Sequence, residues 1–340
     1  MMIKNKKKGL IIATIILDLM MCTSLIVLYG PWTNFRNFWI TSTMTTMNHQ
    51  YLAHLFYSDK MIAAVLADNY VTESGASTDT NLINTDPVKD TAVYESESEK
   101  QILKKDKGND LYKVIDISNG TYKGSLVVVY DSSKIKLGIT KYLGTKGQYV
   151  DTMALENKAV VAVNGGGFYD PQWMGNGGEP TGSLVSNGKI VWTSDRPTSG
   201  GVVGFDYNGK LILSKDNMAS ALTKYKLKDA LEFGPFLIVN GKPSFIKGNG
   251  GWGTAPRTAI GQRQDGITLF LVIDGRSLES LGADMVDLTE IMTKYKVYNA
   301  VNMDGGSSTT LIVDNKLMNK PTAKGRSNMR AIADCWLVLK

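Results

Sequence analysis

Ala300-Val-Asn-Met-Asp-Gly-Gly-Ser-Ser-Thr309 reads as the end of an apolar strand that breaks on a glycine pair and carries polar groups into the turn. Three other segments share this design. Val160-Val-Ala-Val-Asn-Gly-Gly-Gly-Phe-Tyr169 is followed by Glu179-Pro-Thr-Gly182, and Gly253-Thr-Ala-Pro-Arg-Thr-Ala-Ile-Gly261 and Leu271-Val-Ile-Asp-Gly-Arg276 lie between them and the first. Successive glycines let backbone approach a ligand closely and turn N–H groups toward it, which suits an anion such as phosphate. Asp274 and Asp304 hold matching places, each at a strand end before glycine, and Arg257 and Arg276 are of the type that grips phosphate through two parallel hydrogen bonds. One Asp-Gly after a strand is usually only a turn. Four such ends in one domain point to a shared site.

Outward from these segments the pattern stays β-rich. Runs at 125–130, 134–140, 159–164, 267–274 and 297–304 predict strands. Asn187-Gly188, Asn208-Gly209 and Asn240-Gly241 each separate two apolar runs, the strongest short-range hairpin signal, and Asp314-Asn315 predicts one more turn. Helices are fewer. Residues 283–295 put Met285, Leu288, Ile291, Met292 and Tyr295 on one face and end in lysines, and 149–157 is a weaker candidate. The expected class is α+β, a mixed or antiparallel sheet with packed helices, preceded by an N-terminal transmembrane helix.

That helix is predicted from an apolar run between Gly9 and Gly30, following Lys4, Lys6, Lys7 and Lys8. About 20 apolar residues match a hydrocarbon core. Tyr29-Gly30-Pro31-Trp32 carries no small-residue cleavage pattern, so the expectation is an uncleaved signal-anchor with the lysines cytoplasmic. Residues 1–30 are then tail and anchor, 31–70 a juxtamembrane amphipathic helical segment, 71–110 a flexible linker poor in large apolar residues, and 111–340 the globular domain. Both histidines, His49 and His54, fall in the juxtamembrane part and are read as polar-face residues.

Composition narrows the chemistry. The formal charge is +6, and four of those charges are the N-terminal lysines, so the rest is nearly balanced and carries no basic stripe for nucleic acid. The two cysteines, Cys22 and Cys335, allow no disulfide within the domain, which suits an exported bacterial chain. With no histidine after His54, a Ser-His-Asp triad, a Cys-His pair and a histidine-ligated zinc site are excluded within the domain. Ser244-Phe-Ile-Lys247 matches a short penicillin-enzyme pattern but lacks its partner motifs. Carboxylate, arginine, amide and hydroxyl chemistry remains.

Asn164-Gly-Gly-Gly-Phe168, Pro256-Arg-Thr-Ala-Ile-Gly261, Asp274-Gly275 and Asn302-Met-Asp-Gly-Gly306 together closely resemble the phosphodiester glycosidase family, with coverage from about Val114 onward. The resemblance implies cleavage of a sugar-1-phosphodiester, with N-acetylglucosamine or a relative as the sugar, leaving a phosphomonoester. This chain departs from animal members, which are cysteine-rich and anchored at the C-terminus, so an envelope or extracellular glycopolymer is the expected substrate. A phosphodiester leaves readily as a stable anion, so strong general-acid help is less needed than in ordinary glycosidases.

On this reading Asp304 and Asp274 are the candidates for base or nucleophile, with Glu179 and Glu232 in reserve. Arg257, Arg276 and the Gly165, Gly166 and Gly167 amides are assigned to phosphate; Asn164 and Asn302 to sugar hydroxyls. Phe168, Thr181, Gly182, Thr258, Gly305, Gly306 and Ser307 complete the expected substrate-binding set. The reaction requires no cofactor, although the same carboxylates are of the type that takes Ca²⁺ or another divalent cation. The expected partners are a phosphoglycan or sugar-phosphodiester and, through the N-terminal helix, a bacterial cell membrane, crossed once with the domain extracellular. Two other classes stay open: a non-catalytic module that binds envelope polysaccharide, and a protein of exopolysaccharide assembly.

Overall fold

The strands of the domain are apolar at consecutive positions because both faces of their sheets are covered, and side-chain alternation then sorts each strand between two cores. The computed structural model describes residues 2–46, 49–86, 93–171, 174–196 and 198–340, with side chains from Lys7 except Leu10. Residues 87–92 of the expected linker, 47–48 of the helical segment and the side chains of Lys4 and Lys6 lie outside the described part.

One seven-stranded sheet runs in the spatial order Lys242–Pro243, Phe236–Val239, Val297–Asn302, Arg257–Arg263, Thr268–Ile273, Lys123–Val129, Tyr112–Ser118. A five-stranded sheet is built from Lys316–Leu317, Leu311–Val313, Ala159–Asn164, Asp334–Leu339 and Ile135–Ile139. A second takes Lys189–Trp192, Leu184–Ser186, Leu227–Phe233, Gly201–Asp206 and Leu211–Ser214. Pairing is antiparallel in all three.

The inner faces share one core. Val127 and Val129, Phe270 and Val272, Val161 and Val163, Trp336 and Val338, Val203 and Phe205, and Leu231 all point into it. The alternate residues face outward, and each outer face is closed by a helix. Met285–Lys294 packs on Leu126, Leu269 and Leu271; Val150–Glu156 packs on Ala162 and Leu337; Met218–Tyr225 packs on Val202, Ile212 and Ala230. The expected α+β class and both expected helices are therefore present.

The hairpins follow their turn chemistry. Asn187 and Gly188, Asn240 and Gly241, and Asp314 and Asn315 all take positive φ, as two-residue turns that match strand twist require. Ser244 donates its hydroxyl to the Phe236 carbonyl and Phe245–Lys247 is a strand, so Ser244-Phe-Ile-Lys247 is structural.

Ahead of the domain, the helix Met2–Tyr29 contains the stretch Lys7–Tyr29, 23 residues long and apolar enough to cross a membrane. Helices Thr33–Met44, Tyr51–Phe56 and Asp59–Ala67 follow, packed around Ile40, Ala53, Tyr57, Ile62 and Val65. His54 pairs with Asp59 at 2.9 Å on the exposed side.

The flexible-linker expectation for 71–110 needs correction. Tyr70–Thr72 pairs with Phe245–Lys247, Thr78 N–H donates to the Leu213 carbonyl, and Asn84 N–H donates to the Gln264 carbonyl. Ile83 is buried, and the helix Glu97–Leu103 places Ile102, 0% exposed, in the core beside Leu126 and Tyr295. Low average hydrophobicity hides isolated anchoring side chains. Here a few of them, with ladder hydrogen bonds, hold the described residues of the segment on the domain.

Ile102→Ala removes a fully buried side chain and is expected to cost about 2–4 kcal/mol, read as a lowered midpoint in chemical denaturation of the full chain. A loose tether would give no change.

Candidate active site

Asn164 ends the Ala159–Asn164 strand with its side chain 1% exposed, at the seam between two sheets. Its Oδ1 accepts from the Thr258 hydroxyl at 2.6 Å and from the Thr310 N–H at 3.1 Å. Its Nδ2 donates to the Asp304 carbonyl at 2.6 Å. Met303 N–H donates to the Thr258 carbonyl and Asp304 N–H to the Gly165 carbonyl, so the turn carrying Asp304 is tied to both sheets.

The turn opens on a cavity of about 340 Å³. Asp304 and Asp170 face it together with Arg257, Arg276 and Arg330; Phe168 and Trp252 form apolar walls, and Gly167, Gly305 and Gly306 bring bare backbone to its edge. Burial raises the pKa of Asp304, although Ser308, the Gly305 N–H and Arg330 favour its charged form. The Gly305 bond is 3.0 Å long.

The three guanidiniums are held differently. Arg257, at the start of the Arg257–Arg263 strand, is 4% exposed. Its Nε donates to the Ala283 carbonyl at 3.1 Å, and its Nη2 to the carbonyls of Trp252 and Gly253. Burial lowers its pKa to about 10, so it remains charged, and the carboxylates of Asp284 and Asp304 work against that shift. Among the described residues, Nη1 alone has no partner and is left for a ligand. The expected two-bond grip by Arg257 is therefore excluded, because every pair of adjacent donors includes an occupied one. Arg276 is exposed at the rim, with its Nη1 3.5 Å from the Thr322 hydroxyl. Partial burial lowers the pKa of its guanidinium from the ordinary arginine value, and an arginine stays charged there. Arg330 pairs with Asp170 at 2.5 Å and lies over the Phe168 ring, 4.6 Å from the centroid.

Behind the glycines sits a second acid. Asp334 opens the Asp334–Leu339 strand, is 0% exposed, and accepts from the Gly166 N–H at 2.7 Å. Its other oxygen is buried without a hydrogen-bond partner among the described residues. Burial, and secondarily the charge of Asp304, raise its pKa to about 7. A Cβ on Gly165 would lie 2.1 Å from its Oδ1, so this close approach demands glycine.

The helical segment 31–70 also reaches the cavity, through Thr45. Asn249 donates to the Thr41 hydroxyl at 2.5 Å, and Thr254 N–H donates to Ser42 at 3.3 Å. Gly253, at φ +60°, approaches so closely that a Cβ would sit 2.7 Å from the Thr41 carbonyl. The loop whose carbonyls orient Arg257 thus rests on the Thr33–Met44 helix.

Of the residues nominated from sequence, Asp304, Gly167, Phe168, Arg257, Arg276, Gly305, Gly306 and Ser307 line the cavity. The others stand apart from its lining. Asp274 accepts from the Lys320 N–H at 2.7 Å; Glu179 is 3.5 Å from Arg196; Glu232 accepts from the Ser183 N–H at 2.7 Å. Asn164 and Thr258 bond each other, and Asn302 is buried, donating to the Gly234 carbonyl at 3.1 Å. Gly165, Gly166, Thr181 and Gly182 support the strand-end turns; Thr181 N–H donates to the Gly167 carbonyl. Sequence reading missed Asp170, Arg330, Trp252, Ser308 and Thr45 as lining residues, and Asp334 behind them. Among the described residues no three His, Cys, Asp or Glu side chains gather as a metal site.

A family model described as phosphodiester glycosidase matches residues 157–339. The SPbeta prophage-derived protein YomE of Bacillus subtilis (strain 168) is 30% identical over 199 residues, 56% of this chain and 30% of that protein. The N-acetylglucosamine-1-phosphodiester alpha-N-acetylglucosaminidase of Bos taurus is 34% identical over 73 residues, 22% of this chain and 14% of that enzyme. The chain thus spans under a third of the length of these curated relatives. The zebrafish N-acetylglucosamine-1-phosphodiester alpha-N-acetylglucosaminidase catalytic domain, auto-inhibited by pro-peptide, shares the fold, with a TM-score of 0.55 at 21% identity over 67% of this chain and 82% of that one.

The raised pKa of Asp334 has a defined effect on stability. The folded state keeps a proton that the unfolded chain gives up near 3.8, so this contribution is full below that value and lost as pH rises through about 7. Asp334→Asn should flatten the pH dependence of the melting temperature between pH 4 and 7.5 relative to the parent chain. Parallel curves would refute the shift.

Proposed function

The chain belongs to the phosphodiester glycosidase family, and on that premise we propose that it hydrolyses the glycosidic bond of a sugar-1-phosphodiester in a bacterial cell-envelope or extracellular glycopolymer. N-Acetylglucosamine is the proposed sugar, in keeping with the activity for which the bovine relative is named. The observation that carries the proposal is the Asp304 carboxylate sharing a cavity with three guanidiniums, of which Arg330 is already paired with the cavity's other carboxylate, Asp170.

In the proposed reaction the phosphodiester oxygens lie against Arg276, Arg330 and the free Nη1 of Arg257, while Trp252 and Phe168 frame the sugar ring. The bond from the anomeric carbon to the phosphate oxygen breaks, and its electron pair leaves on the phosphomonoester. Water adds to the anomeric carbon and gives its proton to Asp304. A carboxylate whose pKa burial has raised is a better base than an exposed one. The guanidiniums balance the charge that gathers on the departing phosphate. The helix Lys7–Tyr29 is the proposed single membrane span, with the domain outside the cell.

Full-length protein in neutral detergent, incubated with a panel of sugar-1-phosphodiesters, should release free sugar and a phosphomonoester. Asp304→Asn should lower kcat by about 10²–10⁴ in a folded protein, whereas Arg276→Gln should act mainly on KM. Full turnover by folded Asp304→Asn would reject the assigned base. Saturable binding of wall polymer without product would favour the polysaccharide-binding alternative. The assembly alternative would fit a chain that loses its cellular role, but not hydrolysis, when the juxtamembrane helices are altered.

The proposed chemistry draws only on the chain's own side chains, so dialysis against a chelator should leave the rate unchanged. Loss of rate restored by Ca²⁺ would overturn that point.

A further inference from the structure

The catalytic cavity leaves unused a groove of about 670 Å³ between the helices Thr33–Met44 and Asp59–Ala67. Arg36 and Lys60 line it with Thr33, Asn37 and Ser58, and the apolar side is Met61, Ala64 and Val65. The last three are spaced three and four residues apart, so they form one continuous helix face. A cationic, donor-rich end beside an apolar wall is the surface that a phosphate joined to hydrocarbon would fit.

Three further observations favour an anion. The Nε of Arg36 is buried with no hydrogen-bond partner among the described residues. The Thr33–Met44 helix begins at Trp32 without a side-chain cap; the Thr33 and Phe35 N–H groups are taken by the Pro31 and Trp32 carbonyls, and the Asn34 N–H has no partner among the described residues. Asp59–Ala67 also opens into the groove, and its cap Ser58 already serves Met61, leaving the earlier N–H groups uncapped by that side chain. Two acids lie near the groove, and Asp68 is itself part of its lining. Asp68, at the far end, pairs with Lys247, and Asp59 pairs with His54 at 2.9 Å.

The groove is also clamped to the apolar helix. The Tyr57 hydroxyl donates to the Leu28 carbonyl at 3.0 Å, and the Tyr29 hydroxyl to the Phe56 carbonyl at 2.7 Å. Arg36 follows the end of that helix by seven residues and Thr33 by four. If Lys7–Tyr29 spans the membrane, the groove is held at headgroup depth.

We propose that this groove binds the phosphate of an anionic glycerophospholipid headgroup, with the first methylenes of the lipid against Met61 and Val65. The proposal rests on the membrane-anchor part of the functional reading and is independent of the hydrolysis.

The test is native mass spectrometry of the full chain in neutral detergent, titrated separately with phosphatidylglycerol, diacylglycerol and inorganic phosphate. One saturable phosphatidylglycerol per chain is expected, with little diacylglycerol bound. Arg36→Gln and Lys60→Gln should each weaken binding about fivefold or more, and Lys60→Arg should retain it. Unchanged thermal melts establish that these variants are folded. Equal uptake of diacylglycerol, or unweakened binding by the folded double variant, would overturn the proposal. Inorganic phosphate binding as tightly as the lipid would overturn the lipid assignment in favour of a free anion. The anchor reading fails separately, if the full chain stays monodisperse without detergent.

Discussion

The side-chain amide of Asn164 is the joint on which the site depends. A buried amide that left these bonds unmade would cost about 1–3 kcal/mol per lost partner. Here it joins the Ala159–Asn164 strand to Thr258 of the seven-stranded sheet and to the backbone of Thr310 and Asp304. The position of the carboxylate is thus set by how two sheets meet. A site fixed by sheet packing is pre-organised, and its electrostatics need little rearrangement when charge develops.

The charges around that joint are unequal in solvation. Asp334 lies beyond water, Asp304 looks into the cavity, and Arg330 and Asp170 neutralise one another at the wall. Arg257 spends most of its donors on the Trp252–Gly253 and Ala283 carbonyls. It therefore resembles a strut with one exposed face. The protein tolerates this buried charge because the carbonyls replace the water it lost.

Local features were legible in the sequence because their causes are local. Asn-Gly turns place themselves, and apolar runs such as 159–164 and 268–273 announce strands. The glycine-flanked strand ends also led to Asp304, Arg257 and Gly305. The same signal was ambiguous for Asp274, whose carboxylate instead caps the Lys320 N–H. Residue type at a strand end does not say which way the following turn aims its side chain. Arg330, Asp170, Trp252 and Thr45 sit on separate loops without periodicity, and only non-local packing collects them. The segment 71–110 misled for a related reason: composition averages over a stretch, whereas Ile83 and Ile102 act singly.

The Thr33–Met44 helix touches the apolar helix's end through its neighbours and the 249–254 loop through Thr41 and Ser42. Its 12 residues amount to a rod of about 18 Å. With the proposed anchor, such a rod acts as a ruler: the cavity stays at one height above a surface. Encounters would then occur within a thin layer, and turnover would follow the areal density of phosphodiesters in that layer more closely than their concentration in bulk solution. Lengthening the chain between anchor and domain would change little if the rod persists, whereas breaking the rod would release the cavity into a three-dimensional search.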